Sequence, residues 1–321
     1  MPGFQLLFLF SSVCLYSHFI DPDYNGIIGS MMEKNLDEAL RAYIKTIPSL
    51  PTSVTKVLEI CNNPRTSPAD LNHVISLDPV LVGRVLKLIN SAYYGLGQQV
   101  TSLVRAIIML GINTVKNLVL STAVVGHLAS KKSPGLDMEG FWRHSLCVGV
   151  SAKLLAKKRG IDSKLIEEYF VAGLLHDIGK IPLNAVLSEE YILTVGAADR
   201  EKKPLSLAEE NALGINHCEA GAMIVTAWKL EGPIGDAIAC HHSYAQYTGD
   251  HKDVLYTVAA ANRFSSIEGI GFSGDRYPVP LPDLIWDTLK IYNDIFDDIE
   301  ESVNNEIKKA EIFLKIGAAK E

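Results

Sequence analysis

The sequence predicts an all-α fold on three observations. No segment alternates apolar and polar residues over a length that indicates a strand. Apolar residues recur at helical spacing instead, as where Val54, Val57, Leu58 and Cys61 occupy positions i, i+3, i+4 and i+7. Helix-start signals stand between such segments. The 321 residues are 48% hydrophobic, which supplies a substantial core for one large domain or two modest ones.

Capping residues mark the starts of the early helices. Ser67 and Asp78 are each followed by a proline, which suits the first helical position. Both are therefore predicted N-caps, because their side-chain oxygens can accept a hydrogen bond from a free backbone N–H of the first turn. Asn90 and Ser91 are expected to close the helix that Asp78 begins. The residues predicted to be buried in these two helices are Leu71, Val74, Ile75, Leu81, Val85 and Leu88.

The next segments extend the helical pattern and divide the chain. Residues 103–128 predict two apolar helices around Gly111. The stretch KKSPGLD at 131–137 interrupts the pattern, so we place a boundary there, between an N-terminal helical half at 31–135 and a second half at 136–321.

The second half begins and ends in contrasting helices. Phe141 to Lys158 is apolar on several sides, which predicts a central helix with His144 inside it. Residues 265–283 are rich in glycine and proline and predict a loop. A single long amphipathic helix is predicted from Asp283 to Ile316, with an acidic patch, DDIEES, that packs back on the domain or serves a partner.

Residues 1–30 differ from the rest of the chain. Phe4 to Ile20 is apolar and aromatic, yet it lacks the basic flank of a signal peptide and is short for a membrane span. Met31 and Met32 offer an alternative start. We expect this leader to lie outside the fold, either as an over-extended start or as a poorly inserted anchor.

Charge and cysteine content restrict the partners and the compartment. The net charge of −7 argues against a nucleic-acid surface, which needs clustered Lys and Arg. A helix-turn-helix reading of Val80–Asn90 is also disfavoured, because Arg84 and Lys87 stand there among apolar residues. The five cysteines lack CxxC spacing and are expected to be reduced thiols. A cytoplasmic protein is expected, with no membrane contact unless the leader is an anchor.

The stretch VAGLLHDIGK at 171–180 carries the strongest chemical signal. His176 and Asp177 stand side by side at the predicted end of an apolar helix. Imidazole nitrogen and carboxylate oxygen are both good ligands for divalent zinc, iron or manganese. Lys180, one turn further on, is the candidate phosphate contact, because an ammonium group acts as a point charge.

More histidines occupy helical, largely apolar segments on either side of this pair. A buried histidine is usually a hydrogen-bonded core residue, and hydrogen bonds among these side chains and buried acids remain the alternative to a metal site. Glu209, Glu210 and Glu219 flank His217 and are expected to be solvated acids. The alternative is that they bind metal or orient a histidine, and the role of Asp236 stays open. The additional histidines are His144, His217, His241 and His242.

The order His, His-Asp, His, His-His resembles the HD superfamily of metal-dependent phosphohydrolases. Within it, the chain from about Ile47 onward resembles the HDOD domain, the HD-related output domain of bacterial signalling proteins. The segments that carry this resemblance are IPSLPTSVTKVLEICNNP, DLNHVISLDPVLVGRVLKLINSAYYG and SLVRAIIMLGINTVKNLVL. It implies an HD-like helical domain preceded by an N-terminal helical subdomain.

The resemblance also implies a ligand set and two functions. The set comprises His144, His176, Asp177, His217, His241 and His242, and Asn262 is a weak member where HD enzymes carry aspartate. It would hold one or two divalent Fe, Mn or Zn ions, or none if the site is vestigial. The first function is a regulatory output module that binds a signalling protein. The alternative is a metal-dependent phosphohydrolase in which Asp177 bridges two ions and Lys180 steadies the phosphate.

One departure from the superfamily pattern narrows the alternative function. Ser243 follows His242 where cyclic di-GMP hydrolases carry glutamate, and no Gly-Tyr-Pro follows at the right distance. The resemblance therefore argues against cyclic di-GMP hydrolysis.

Overall fold

A computed structural model describes residues 36–128, 135–292 and 295–317. The leader at 1–30 and most of the predicted linker, residues 131–134, lie outside the described residues. The chain divides into one unit at residues 1–42 and a second at 43–321. All candidate site residues belong to the second unit. The division at 135/136 into two halves stays a prediction.

The described residues contain helices and no strand, which confirms the all-α prediction. The N-terminal helices are α1 (36–46), α2 (Thr52–Cys61), α3 (Pro68–Ser76), α4 (Pro79–Ile89), α5 (Leu103–Leu110) and α6 (Ile112–Leu128). The next ones are α7 (Met138–Lys158), α8 (Ile166–Leu175), α9 (Lys180–Val186), α10 (Ser188–Glu201) and α11 (Leu205–Leu213). The chain continues with α12 (His217–Trp228), α13 (Pro233–Cys240), α14 (Lys252–Ile267), α15 (Asp283–Leu289), α16 (Ile295–Ala310) and α17 (Ile312–Gly317).

The predicted caps begin and end helices as expected. The Ser67 side chain accepts a hydrogen bond from the Asp70 backbone N–H, and the Asp70 carboxylate accepts one from the Ser67 backbone N–H, so α3 starts with a full capping box. Asp78 accepts from the Leu81 backbone at the start of α4. Asn90 ends α4 and bonds both backbone groups of Val100, which ties the following loop to the helix end.

Two glycines let α7 and α8 cross closely at the centre of the molecule. A Cβ atom on Gly173 would lie 2.8 Å from the Gly149 Cα, and one on Gly149 would lie 2.7 Å from the Phe170 carbonyl oxygen. Side chains larger than hydrogen would therefore force the helices apart. Helix α7 also packs against α14 and α16, and its residue His144 is buried, as predicted.

The C-terminal segment corrects one prediction. In place of a single helix from Asp283 to Ile316, the structure contains α15, α16 and α17. Helix α15 ends at Lys290, whose φ of 53° is left-handed and cannot continue a right-handed helix. The predicted amphipathic character survives in α16, which buries Ile299, Val303 and Ile307 along one face.

Within the described residues, no single helix has both the length and the apolar composition needed to cross a membrane. Helices α5 and α6 meet these criteria only when taken together, and they are bent by 114° at their junction.

Candidate metal centre

The side chains of the candidate metal centre come from four segments of the chain. His144 comes from the first half of α7, while His176 and Asp177 follow the last residue of α8. His217 is the first residue of α12, and His241 and His242 follow α13. The start of α9 packs closely against α12, since a Cβ on Gly179 would lie only 2.5 Å from the Gly221 backbone nitrogen.

These side chains form two groups. Within each group, the ligand atoms all lie within 4.8 Å of one another. The first group is His144, His176 and Asp177, and the second is His217, His241 and His242. The weak candidate, Asn262, joins the first group, because its Oδ1 lies 3.0 Å from His144 Nε2. The structure thus brings together every residue of the predicted ligand set.

Asp177 stands between the two groups and turns one oxygen toward each. Its Oδ2 lies 3.7 Å from His144 Nε2 and 3.3 Å from His176 Nε2. Its Oδ1 lies 3.4 Å from His217 Nε2 and 3.5 Å from His241 Nε2. Asp177 would therefore contribute one oxygen to a cation held in either group.

Hydrogen bonds on the far side of the imidazole rings orient their Nε2 atoms inward. His176 Nδ1 donates to the Gly173 carbonyl at 2.7 Å, and His241 Nδ1 donates to the Ala237 carbonyl at 2.9 Å. Such bonds fix the tautomer that leaves a lone pair on Nε2, as metal-binding histidines require.

Three polar atoms of the centre have no hydrogen-bond partner among the described residues. They are His176 Nε2, Asp177 Oδ1 and His242 Nε2. A buried polar atom without a partner costs about 1–3 kcal/mol. Because the three belong to the two ligand groups, a divalent cation fits as their missing partner.

The protonation states of His144, His242 and Asp177 also suit a cation. Burial lowers the pKa of His144 to about 3 and the pKa of His242 well below its ordinary value, so both imidazoles are neutral near pH 7. Burial acts to raise the pKa of Asp177, but the neighbouring His176 and Lys180 hold it well below the ordinary range. Neutral imidazole and ionised carboxylate are the forms that bind metal.

Lys180 is buried beside Asp177 rather than exposed to solvent. Its Nζ lies 2.7 Å from Asp177 Oδ2 and donates at 3.1 Å to Ser273 Oγ, which comes from the loop after α14. Contact with a phosphate stays a prediction. Ser273 carries no signal in the sequence, since it lies 93 residues from Lys180 in a stretch predicted only as loop.

Glu209 corrects the prediction that the acids near His217 are solvated. It is fully buried, and its Oε2 accepts from the His217 backbone at 2.9 Å and lies 2.5 Å from His217 Nδ1. Burial raises the pKa of Glu209 to about 7. It therefore orients His217 from behind, a role typical of acids around metal centres. Its spacing of four residues from buried Leu205 is the signal that could have found it.

The remaining acids behave differently from Glu209. Glu210 and Glu219 are exposed, as predicted, and Glu219 completes the capping box of α12. Asp236, left open by the sequence, accepts from the Tyr247 hydroxyl and lies 2.7 Å from His251 Nδ1. It belongs to neither ligand group.

Comparison with known proteins identifies the family. The family model for the HDOD domain matches residues 47–244, more than half of the chain. The chain belongs to the HDOD domain family. The HDOD match includes all six histidine and aspartate ligand candidates and stops before Asn262 and Ser273.

Relatives of known structure share the HDOD fold. An HDOD domain protein of unknown function from Geobacter sulfurreducens is 24% identical, with a TM-score of 0.70 over 86% of this chain and 97% of that one. A candidate phosphohydrolase from Shewanella amazonensis SB2B is 26% identical, with a TM-score of 0.64 over 88% of this chain and 98% of that one.

A curated relative is longer than this chain. An uncharacterized protein of Treponema pallidum (strain Nichols) is 30% identical over 220 residues, which are 68% of this chain. The match spans 42% of that relative's length.

Proposed function

We propose that this HDOD domain is a bacterial signalling output module that holds a divalent transition metal in the centre around Asp177. The observation that carries the proposal is the division of the two Asp177 oxygens between two groups of histidines. An imidazole-rich set with one carboxylate suits Zn, Fe or Mn.

A regulatory protein is the partner that the proposal implies. A candidate signal transduction protein from Marinobacter aquaeolei VT8 shares the fold, with 19% identity and a TM-score of 0.68. The net charge of −7 argues against a nucleic-acid partner. The proposed location is the cytoplasm.

Metal-dependent phosphate-ester hydrolysis is the second candidate, favoured by the bridging position of Asp177. Bound ions would polarise a phosphoryl oxygen and lower the pKa of a water molecule. Lys180 would hold a phosphate oxygen only by exchanging its bonds to Asp177 and Ser273. Two observations therefore favour the regulatory role: Lys180 already bonds to Asp177 and Ser273, and Asn262 offers an amide where HD enzymes carry aspartate.

Metal analysis tests the proposal. Protein purified without chelator or nickel resin should contain iron, zinc or manganese by elemental mass spectrometry. His176→Ala and Asp177→Ala should each abolish binding, whereas His73→Ala and His251→Ala, outside both groups, should bind as wild type. Absence of metal after reconstitution, with no rise in melting temperature on metal addition, would contradict the proposal.

Assays of the metal-loaded protein then separate the two functions. Generic phosphomonoesters and phosphodiesters should remain intact if the centre is regulatory. Turnover that disappears in Asp177→Ala would instead establish the hydrolase.

A further inference from the structure

A cavity of about 350 Å³ lies away from the metal centre, between the N-terminal helices and the second half of the domain. Its volume is at the lower end of the range for small-molecule sites. The walls come from α2, α6, α8 and the turn between α12 and α13. The apolar lining is Leu58, Leu120, Leu230, Pro233 and Ile234.

Asn117 lines this cavity with an amide that has no partner. Its side chain is 1% exposed, and neither Nδ2 nor Oδ1 forms a hydrogen bond to any described residue. Buried amides are nearly always hydrogen-bonded, because an unpaired one costs free energy. A ligand with one acceptor and one donor could therefore form hydrogen bonds to both Nδ2 and Oδ1 of Asn117.

The charged residues that line the cavity include as many lysines as glutamates. Lys116 Nζ and Glu168 Oε1 lie 3.9 Å apart, too far for a hydrogen bond, and both side chains are 19% exposed. Lys229 and Glu231 add one charge of each sign at the rim. An anionic ligand such as a nucleotide would face two carboxylates, and a cation would face two ammonium groups.

We propose that this cavity binds a free α-amino acid with an apolar side chain. Its carboxylate would meet Lys116 and the Asn117 amide N–H, its ammonium would meet Glu168 and the Asn117 amide oxygen, and its side chain would lie against the leucines. One small zwitterion would then pair with Nδ2 and Oδ1 of Asn117. It would also pair with both charged side chains, Lys116 and Glu168.

The site also lies on the elements that carry the metal-ligand candidates. Glu168 precedes His176 by eight residues of α8, or about 12 Å of helix. Lys229 follows α12, which begins at His217, and Pro233 begins α13, which ends before His241. An amino acid bound here would give the proposed signalling module a metabolic input.

Calorimetric titration of the full chain with L-leucine, L-isoleucine and L-phenylalanine tests the site. At least one should bind, and 4-methylpentanoate and isoamylamine, each with one of the two charges of leucine, should bind about tenfold or more weakly. Adenosine, whose base edge could also pair with an asparagine, should not bind. Absence of amino-acid binding in the millimolar range, or binding of adenosine alone, would overturn the proposal.

Two variants with a matched control locate the binding. Asn117→Leu and Glu168→Gln should each weaken binding about tenfold or more, while Glu201→Gln, at an exposed ion pair with Lys203, should leave it unchanged. Asn117→Leu should melt at or above the wild-type temperature, since it removes an unpaired buried amide. Wild-type affinity in both variants would overturn the site. The titration is repeated after chelation, so failure of the metal proposal does not affect its outcome.

Discussion

Asp78 shows how much a single side chain can organise in this fold. Its Oδ1 accepts from the Leu81 backbone N–H at 3.0 Å, and its Oδ2 accepts from Ser53 Oγ at 2.7 Å. One carboxylate therefore caps α4 and links it to α2. The cap is evident from the sequence, because a cap and its helix are neighbours along the chain. The link to Ser53 is not, because it joins residues 25 positions apart.

Asp78→Ala should lower the free energy of unfolding by about 0.5–2 kcal/mol at pH 7. Burial acts to raise the pKa of Asp78, but bonds from Leu81 and Ser53 bring it below the ordinary value. The stabilisation is thus present above the unfolded pKa and is lost as pH falls through the folded pKa. Urea unfolding should show the difference from wild type shrinking in acid. Asp250→Ala, at an exposed position, is the control, and equal losses in both variants would refute the cap.

Among elements, α7 and α8 decide the geometry of the candidate metal centre. The apolar character of both helices is predictable from the sequence, and so is the burial of His144. The close crossing at Gly149 and Gly173 is not predictable, because it depends on which helices become neighbours. The burial of Glu209 depends on the same long-range packing. The left-handed end of α15 is not predictable for a local reason, since a lysine rather than a glycine stands at position 290.

Gly173→Ala should destabilise the protein by about 1–3 kcal/mol, because its methyl group would meet the backbone of α7. It should also weaken metal binding, since separating the helices moves His176 away from His144. Gly83→Ala is the matched control within a helix: a Cβ there meets nothing within 4 Å, and the change should stabilise by about 0.5–1 kcal/mol. Thermal melts and metal titrations of both variants measure these effects, and equal behaviour would refute the close crossing.

At the scale of the whole molecule, an aromatic cluster joins three distant parts of the chain. Phe313 of α17 lies 5.0 Å, between ring centroids, from Tyr93 after α4 and 4.8 Å from Phe170 of α8. Lys153 donates to the Tyr93 hydroxyl at 2.7 Å and pairs with Glu167 at 3.1 Å. The C-terminal helices therefore complete the core, although the HDOD match ends at residue 244.

Phe313→Ala should lower the free energy of unfolding by about 3–5 kcal/mol, because it leaves a cavity among buried rings. Tyr292→Ala, which truncates a side chain that is 75% exposed, should change the free energy of unfolding by less than about 0.5 kcal/mol. Chemical denaturation of the two variants distinguishes a C-terminal segment that belongs to the core from one that only covers the surface.

The position of Asp177 also has a consequence for charge balance. Within the two described ligand groups it is the one carboxylate, and Lys180 already lies 2.7 Å from its Oδ2. Two divalent ions would bring four positive charges to a ligand set that contains a single carboxylate, in a place where uncompensated charge is costly. Loading of a second ion should therefore require an accompanying anion, such as hydroxide or inorganic phosphate, and the measured stoichiometry should rise with phosphate concentration.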